Sequence, residues 1–243
     1  MRIAVLSDIH ANLAALEAVF ADLADVDEVW VLGDIVGYGP QPNEVIATLQ
    51  AMGARSVLGN HDGAAVGLVD AAYFNPDARK AIEWTAAAID GNARSYLATL
   101  PEVRRDGEVT AVHGSPRDPI WEYITSNEIA ASNFDSYQTS FCLFGHTHLP
   151  IVYRLLEGEV EARPGLPGDV VALDGGRALL NPGSVGQPRD GLPDAAYAML
   201  DLTGDHTGTI AFHRVRYEVD RTQRLMREAG LPARLVERLS YGR

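Results

Sequence analysis

Two histidines, His146 and His148, lie one residue apart in the segment FGHTHLP, directly after the apolar run FCLF. Imidazole nitrogens are frequent ligands of divalent metals, and residues i and i+2 of an extended segment project to the same side. A polar turn that closes a strand would explain the same two residues without any metal. The pair alone therefore leaves both interpretations open.

Four other short apolar runs, residues 3–6, 29–32, 56–58 and 110–112, are also followed by polar groups that suit metal binding or acid–base chemistry. Each short motif is weak by itself, because Asp-x-His occurs often and GD or GNH usually marks a turn. The ordered set is more specific, because five separate buried strand ends would each have to carry costly polar groups by coincidence. The candidate residues in these four segments are Asp8, His10, Asp34, Asn60, His61, Asp62 and His113.

A scaffold must bring these distant segments together. Residues 12–24, 43–52 and 77–100 show helical periodicity, the last segment as two helices broken near Gly91, and they alternate with the early strands. This alternation predicts an α/β architecture with parallel pairing, in which the carboxyl ends of the strands share one edge of a sheet. Gly33, Gly59 and Gly145 are expected to let the backbone turn sharply and to keep bulk away from the site.

The second half of the chain has a different pattern of predicted secondary structure, with strands in place of alternating strands and helices. Residues 151–156, 169–173, 177–180, 196–202 and 209–217 are predicted strands separated by Gly, Pro and Asp turns, which favours antiparallel pairing. Residues 220–239 are predicted to form two short helices broken at Gly230 and Pro232, packed on the outside. We therefore expect one domain over residues 1–243, helix-covered early and antiparallel late, with a helical tail from about residue 218.

Composition excludes several classes of protein. The net charge of −13 argues against a basic face for nucleic-acid polymers and disfavours binding to anionic membranes. The single cysteine, Cys142, excludes an internal disulfide and a thiolate-rich zinc site. The apolar run at the amino terminus is too short for a signal peptide, and no segment approaches the length of a membrane span. A cytoplasmic location is expected.

The ordered pattern DIH…GD…GNHD…H…GHTH resembles the calcineurin-like metallophosphoesterase family over residues 2–217. The segment NPGSVGQPRDG at residues 181–191 is similar to the late loop of small bacterial members grouped with diadenosine tetraphosphatases and PP-type phosphatases. The resemblance implies an α/β fold, namely a four-layer αββα sandwich of two mixed β-sheets flanked by helices. It also implies a metal-dependent phosphoesterase.

Two cations about 3.5–4 Å apart can hold a bridging hydroxide for in-line attack on a phosphate ester or anhydride, and they need a shared anionic ligand, for which Asp34 is the natural candidate. The resemblance implies manganese or iron, although zinc and nickel also suit nitrogen and oxygen ligands. It assigns Asp8, His10, Asp34 and His148 to one metal, and Asp34, Asn60, His113 and His146 to the other.

Four further residues are candidates for roles beside the metals. By the resemblance, His61 contacts the phosphate and protonates the leaving oxygen, and Asp62 is expected to orient that imidazole and raise its pKa. The alternatives are a structural histidine and an exposed loop acid. Arg117 and Arg189 lie in family-like segments and are candidates to bind phosphate oxygens, with a plain surface position as the alternative.

The predicted substrate is a small phosphorylated molecule, with a nucleotide such as a dinucleoside polyphosphate or a small phosphodiester preferred and a phosphoprotein as the alternative. A second class is a non-catalytic metal-binding interaction module on the same scaffold, but all seven expected ligand positions are filled. A single-zinc hydrolase of another fold is disfavoured because neither HxHxDH nor HExxH is present. The sequence leaves the oligomeric state open.

Overall fold

The computed structural model describes residues 1–204 and 206–243. The strands in this part of the chain form two sheets of six strands each, and both sheets are mixed. In chain order they are β1 (Arg2–Leu6), β2 (Glu28–Val31), β3 (Arg55–Ser56), β4 (Val103–Asp106), β5 (Val109–Val112), β6 (Phe141–Leu143), β7 (Ile151–Leu156), β8 (Glu159–Pro164), β9 (Val170–Ala172), β10 (Arg177–Asn181), β11 (Ala195–Gly204) and β12 (Thr207–Val215).

The first sheet has the strand order β3-β2-β1-β11-β12-β9, and the second has the order β4-β5-β6-β10-β7-β8. In the first sheet β1, β2 and β3 are parallel, and β11 pairs antiparallel with β1. In the second sheet β5, β6 and β10 are parallel, and the outer pairs are antiparallel. Each sheet therefore combines strands from both halves of the chain.

The α-helices of the described residues cover the outer faces of the two sheets. Two 3₁₀ turns, Ala71–Tyr73 and Phe134–Ser136, lie next to them. The helices are α1 (Leu13–Asp22), α2 (Pro42–Ala51), α3 (Asn60–Val66), α4 (Pro76–Ala88), α5 (Gly91–Ala98), α6 (Asn127–Asn133), α7 (Val219–Glu228) and α8 (Ala233–Arg238).

Alternation along β1 shows how the layers are held together. Ile3 and Val5 belong to the cluster between the two sheets, whereas Ala4 and Leu6 belong to the cluster beneath α1 and α2. Successive side chains of a strand point to opposite faces, so a strand with two buried faces is apolar throughout. The lone Cys142 is buried beneath α6, as expected of a core residue. The predicted four-layer sandwich is confirmed.

Most predicted elements are present, but α6 was not predicted, and several other features differ. The late strands pair antiparallel with one another, as predicted, but the early and late halves do not form separate sheets, because β11 pairs with β1 and β10 pairs parallel with β6. The strand predicted at residues 56–58 is shorter, and the polar residues after it open α3. The strands β4 and β8 escaped prediction because their exposed, charged sequences lack an apolar pattern.

The tail folds as the two predicted helices, α7 and α8, with a left-handed residue at Gly230 between them. Its buried side chains, including Met226 and Leu235, pack against Tyr38 and against Ala78 of α4. The tail is therefore more than an outer layer, because Tyr38 belongs to the loop after β2 that carries polar candidates. Among the described residues, no helix combines the length and the apolar character that a membrane span needs.

Candidate metal centre

The five polar segments meet at one end of the sandwich. Asp8 and His10 follow β1, Asp34 follows β2, and Asn60 opens α3 directly after β3 and its connection. The segments that follow β5 and β6 approach from the second sheet and add His113, His146 and His148. The site therefore lies where the ends of both sheets converge, rather than along the edge of one sheet.

The first group of metal-binding side chains consists of Asp8, His10, Asp34 and His148, all buried. Nε2 of His10 and Nε2 of His148 are 3.3 Å apart, and Oδ1 of Asp8 lies 3.2 Å from Nε2 of His148. Oδ2 of Asp34 lies 3.6 Å from Nε2 of His10. The four ligand atoms are close enough to surround a single cation.

The second group consists of Asp34, His113 and His146, with Asn60 beside them. Nε2 of His113 lies 2.9 Å from Nδ1 of His146, 3.1 Å from Oδ1 of Asn60 and 3.5 Å from Oδ2 of Asp34. The same oxygen, Oδ2 of Asp34, is therefore near a histidine of each group. This carboxylate joins the two groups.

Hydrogen bonds to backbone carbonyls define which nitrogen of each ring is free. Nδ1 of His10 donates to the carbonyl of Val36 at 3.1 Å, and Nδ1 of His148 donates to that of Gln187 at 2.6 Å. A carbonyl oxygen only accepts, so these nitrogens carry the protons and each Nε2 presents a lone pair. The same reasoning holds for His113, which donates from Nδ1 to Leu32 at 2.8 Å.

His146 has the opposite tautomer, because its Nε2 donates to the carbonyl of Trp121 at 3.2 Å. Its Nδ1 lone pair therefore faces the Nε2 lone pair of His113, just as the lone pairs of His10 and His148 face each other. Two facing lone pairs repel unless a cation lies between them. The donor set thus fits two cations, and its purely nitrogen and oxygen composition suits divalent transition metals.

The electrostatics of the buried site agree with this fit. Burial lowers the pKa of His10 and His146 well below the usual value, and it lowers the pKa of His148 to about 4, so these rings are neutral ligands at pH 7. Burial also raises the pKa of Asp34 well above its usual range, with the neighbouring carboxylate of Asp8 adding to the effect. A bound cation would offset both the burial of the Asp34 carboxylate and its repulsion by Asp8. In addition, Oδ1 of Asp8 is buried and accepts no hydrogen bond from the described residues.

The backbone is strained where the candidate ligands lie. Asp8, His10, Asp34, His146 and His148 all have positive φ, between 50° and 64°. Non-glycine residues rarely adopt this left-handed conformation, which costs about 1–3 kcal/mol each unless the surroundings compensate. The strain is concentrated at the candidate site, as expected of side chains aimed by the backbone rather than by free rotation.

Gly59 shows why a small residue is needed between β3 and α3. A Cβ atom at this position would overlap the backbone nitrogen and the carboxylate of Asp34. The close approach lets the N–H of His61 donate to Oδ1 of Asp34 at 2.9 Å. The expectation that Gly59 keeps bulk away from the site is confirmed, and the contact holds Asp34 between the two groups.

His61 and Asp62 occupy the first turn of α3, but they do not interact as expected. The Asp62 carboxylate accepts the N–H of Val36 at 2.9 Å and the N–H of Gly59 at 3.1 Å, so it holds backbone in place. Nδ1 of His61 has no hydrogen-bond partner among the described residues, and burial lowers the pKa of this ring well below its usual value. The expectation that Asp62 orients His61 and raises its pKa was therefore wrong.

The two candidate arginines differ in their surroundings. The Arg117 guanidinium pairs with Glu122, and no hydrogen bond or ion pair among the described residues joins it to the metal-binding groups. Arg189 is half-buried, and its Nη2 lies 3.5 Å from Oε1 of Gln187, the residue whose backbone carbonyl accepts the proton of His148. The structure thus brings Arg189, but not Arg117, to the candidate centre.

Several supporting residues were not given individual roles from the sequence. Ser184 donates to the carbonyl of Asp8 at 2.8 Å, and the carbonyl of Gln187 accepts the proton of His148. Tyr123 stacks on His146 with ring centroids 3.8 Å apart. The family-like segment at residues 181–191 was a usable signal for the first two, whereas Tyr123 lies in a loop without any motif.

Comparison with known proteins agrees with this geometry. The model of the calcineurin-like phosphoesterase superfamily domain matches residues 1–205. A metallophosphoesterase crystal structure from Sphaerobacter thermophilus is 47% identical, and the superposition covers 100% of both chains with a TM-score of 0.91. An uncharacterized protein of Methanocaldococcus jannaschii is 35% identical over 99% of this chain and 98% of its own length.

A third relative gives a partial match. The symmetrical bis(5'-nucleosyl)-tetraphosphatase of Aromatoleum aromaticum is 32% identical over 93 residues, which are 36% of this chain and 33% of that enzyme. The family match, by contrast, extends over most of the chain and includes all five polar segments. The chain belongs to the calcineurin-like phosphoesterase superfamily and is a metal-dependent phosphoester hydrolase.

Proposed function

We propose that this protein hydrolyses a phosphate ester or phosphoanhydride of a nucleotide, such as a dinucleoside polyphosphate or a small phosphodiester. The main observation behind the proposal is that two pairs of histidines each turn their unprotonated nitrogens toward one another, and that Oδ2 of Asp34 lies near both pairs. Members of this family normally depend on two metal ions, and the buried groups match that requirement.

We assign the ligands in two sets. Manganese and iron are the proposed metals, because the family resemblance favours them and the donor set offers nitrogen and oxygen without sulfur. When bound, the two cations polarise the phosphoryl oxygens and activate water as the nucleophile. One cation takes Asp8, His10, Asp34 and His148, and the other takes Asp34, Asn60, His113 and His146.

The residues of the chain itself orient this chemistry. Asp34 is held by the backbone N–H of His61, which keeps its other oxygen between the two groups. The His61 ring is wedged against Tyr38 at 4.3 Å and Phe74 at 4.9 Å between centroids, so its direction is fixed by packing. We assign His61 to the leaving oxygen as a hydrogen-bond donor through its neutral ring N–H, and Arg189 to phosphate oxygens of the substrate.

Aromatic side chains beside the second group support a nucleotide as substrate. Tyr123 stacks on His146 and its side chain is still 45% exposed, while Tyr73 is 77% exposed and contacts Trp121. Exposed rings of this kind stack on nucleobases irrespective of sequence, with about 1–3 kcal/mol per base. The partial similarity to a bis(5'-nucleosyl)-tetraphosphatase points to the same class.

The test is a substrate panel with metal analysis of the same sample. Dinucleoside polyphosphates, cyclic nucleotides, aryl mono- and diesters and a phosphopeptide are incubated with manganese-loaded protein and, in parallel, with Asp34→Asn. We expect turnover of nucleotides and aryl diesters by the native chain alone. Hydrolysis of the phosphopeptide alone would replace the nucleotide proposal with a protein phosphatase, and two bound metals without any turnover would contradict an enzymatic role.

A further inference from the structure

Two arginines from distant parts of the chain converge on one uncharged acceptor. Nη2 of Arg189 lies 3.5 Å from Oε1 of Gln187, and Nη2 of Arg238 donates to the same oxygen. Arg238 is the last residue of α8, beyond the residues that the family model matches. Its guanidinium also lies over the ring of Tyr38, 4.7 Å from the centroid. The helical tail therefore places the guanidinium group of Arg238 next to a loop of the metal centre.

Neither of the two arginines has an anionic partner in the part of the chain that the structure describes. Among the described residues, no carboxylate lies within ion-pair distance of Arg189 or Arg238, and the Nε of each is buried without a hydrogen-bond partner. Arg214 is a useful contrast, because this buried arginine pairs with Asp190. Buried cations are normally paired, since desolvation is costly. Burial and the charge of Arg189 both lower the pKa of Arg238, and only Tyr38 opposes this shift.

The arginine pair borders the first metal-binding group. The backbone carbonyl of Gln187 holds His148, and the ring of Tyr38 lies 4.6 Å from that of His10 and 4.3 Å from that of His61. A cavity of about 10 Å³ is lined by His10, Tyr38 and Gln187 and, on the tail side, by Met226. The two guanidinium groups thus lie on the side of the site that the tail covers.

We propose that Arg189 and Arg238 form an anion subsite for a second phosphate of the substrate, next to the phosphate that is hydrolysed. The proposal rests on the proposed function and deepens it, because it makes the chain selective for diphosphate and longer polyphosphate groups over monoesters. Guanidinium groups bind phosphate oxygens through paired N–H donors, and two of them match the additional negative charge of a polyphosphate. The tail then acts as a specificity element.

The test is calorimetric binding of inorganic pyrophosphate and of orthophosphate to the manganese-loaded protein. Arg238→Gln is expected to raise the Kd of pyrophosphate about tenfold and that of orthophosphate less than twofold, because one charge-assisted contact is lost. Arg238→Lys keeps the charge without the fork and is expected to raise the pyrophosphate Kd about threefold. The matched control is Arg234→Gln, an exposed arginine of the same helix, which should change neither constant.

Three results would overturn the subsite. These are an unchanged pyrophosphate Kd in both Arg238 variants, an equal loss for pyrophosphate and orthophosphate, or the same loss in Arg234→Gln. The calorimetry does not require turnover, so it tests the role of Arg238 even if the native protein hydrolyses no nucleotide. Absence of nucleotide hydrolysis would contradict the proposed function alone. Conversely, nucleotide turnover with an unaltered pyrophosphate Kd in both Arg238 variants removes the subsite and leaves the proposed function intact.

Discussion

The two metal-binding groups share Asp34 but differ in charge. The first group adds a second carboxylate, Asp8, to its two histidines, whereas the second adds the neutral amide of Asn60. A carboxylate attracts a cation far more strongly than an amide oxygen does in a buried site. The first group would therefore hold a cation chiefly by charge, and the second chiefly by neutral donors and by the shared Asp34.

The surroundings of the two groups differ as well. The first group borders Arg189 and the tail, while His146 of the second group stacks on the ring of Tyr123 and donates to the backbone carbonyl of Trp121. Arginine side chains on one side of the site and aromatic rings on the other suit a substrate with phosphates at one end and a base at the other. This asymmetry supports the proposed nucleotide substrate, and the variants below test it.

The largest effect is expected from removing the shared ligand. Asp34→Asn takes the anionic oxygen from both groups, so we expect metal content to fall from two ions to one or none. Activity should fall about 10⁴-fold, because several kcal/mol of transition-state stabilisation are lost. Metal analysis and kcat/KM measure both, with the exposed Asp25→Asn as control. Retention of two tightly bound metals by Asp34→Asn would contradict the proposal that Asp34 binds both cations.

The next comparison separates the two groups directly. Asp8→Asn should lower the metal affinity of the first group more than Asn60→Ala lowers that of the second group. The first variant loses a charged ligand, whereas the second loses a neutral one. We expect activity losses of about 10³-fold and about 10²-fold, respectively. Manganese titration of both variants measures the two affinities. Equal losses of metal affinity would show that the charge difference between the groups has no consequence.

A substitution of His61 should affect chemistry without affecting either group. His61→Asn removes the proposed donor to the leaving oxygen, so kcat should fall about 10²-fold with two metals still bound. The effect should be smaller for aryl esters with good leaving groups, because they need little protonation. His213→Asn, a histidine that stacks on Tyr197 outside the site, is the control. Loss of metal from His61→Asn would assign this ring to the ligands instead.

The contact that positions Asp34 can be tested through stability. In Gly59→Ala the new methyl group would overlap Asp34, so we expect the free energy of unfolding to fall by about 1–3 kcal/mol and activity to fall about tenfold. Gly91→Ala is the control, because a Cβ there meets no atom within 4 Å at the start of α5. Chemical denaturation of both variants gives the comparison, and equal stabilities would contradict the tight contact.

The smallest effect is expected on the aromatic side. Tyr123→Leu should raise KM for a nucleotide about threefold to tenfold through loss of stacking, with little change for an aryl ester that lacks a base. Tyr241→Leu, another exposed tyrosine, serves as the control. Equal increases of KM for both substrates would show that Tyr123 supports His146 and does not contact a base.

The amount that the sequence could predict varies across the molecule. The strands and most helices follow from apolar periodicity, and the five polar segments could be found because each directly follows such a strand. The assignment of strands to sheets could not be predicted, since the insertion of β11 beside β1 pairs residues about 200 positions apart. Local patterns carry no information about such pairing.

The interactions around the ligands were less predictable than the ligands themselves. The role of Asp62 depends on which backbone N–H groups lie within reach, and adjacency to His61 in sequence suggested the wrong partner. Likewise, the carbonyls that set the histidine tautomers belong to residues of no special type, such as Val36 and Leu32. Arg238 lies in a tail without any motif, so only its packing on Tyr38 reveals its position.

Asp34 is proposed to bind both cations at once. Anomalous X-ray diffraction from crystals of the manganese-loaded protein tests it most directly. We expect two peaks about 3.5–4 Å apart, each about 2.0–2.2 Å from a carboxylate oxygen of Asp34. A single peak, or two peaks of which only one contacts Asp34, would contradict it.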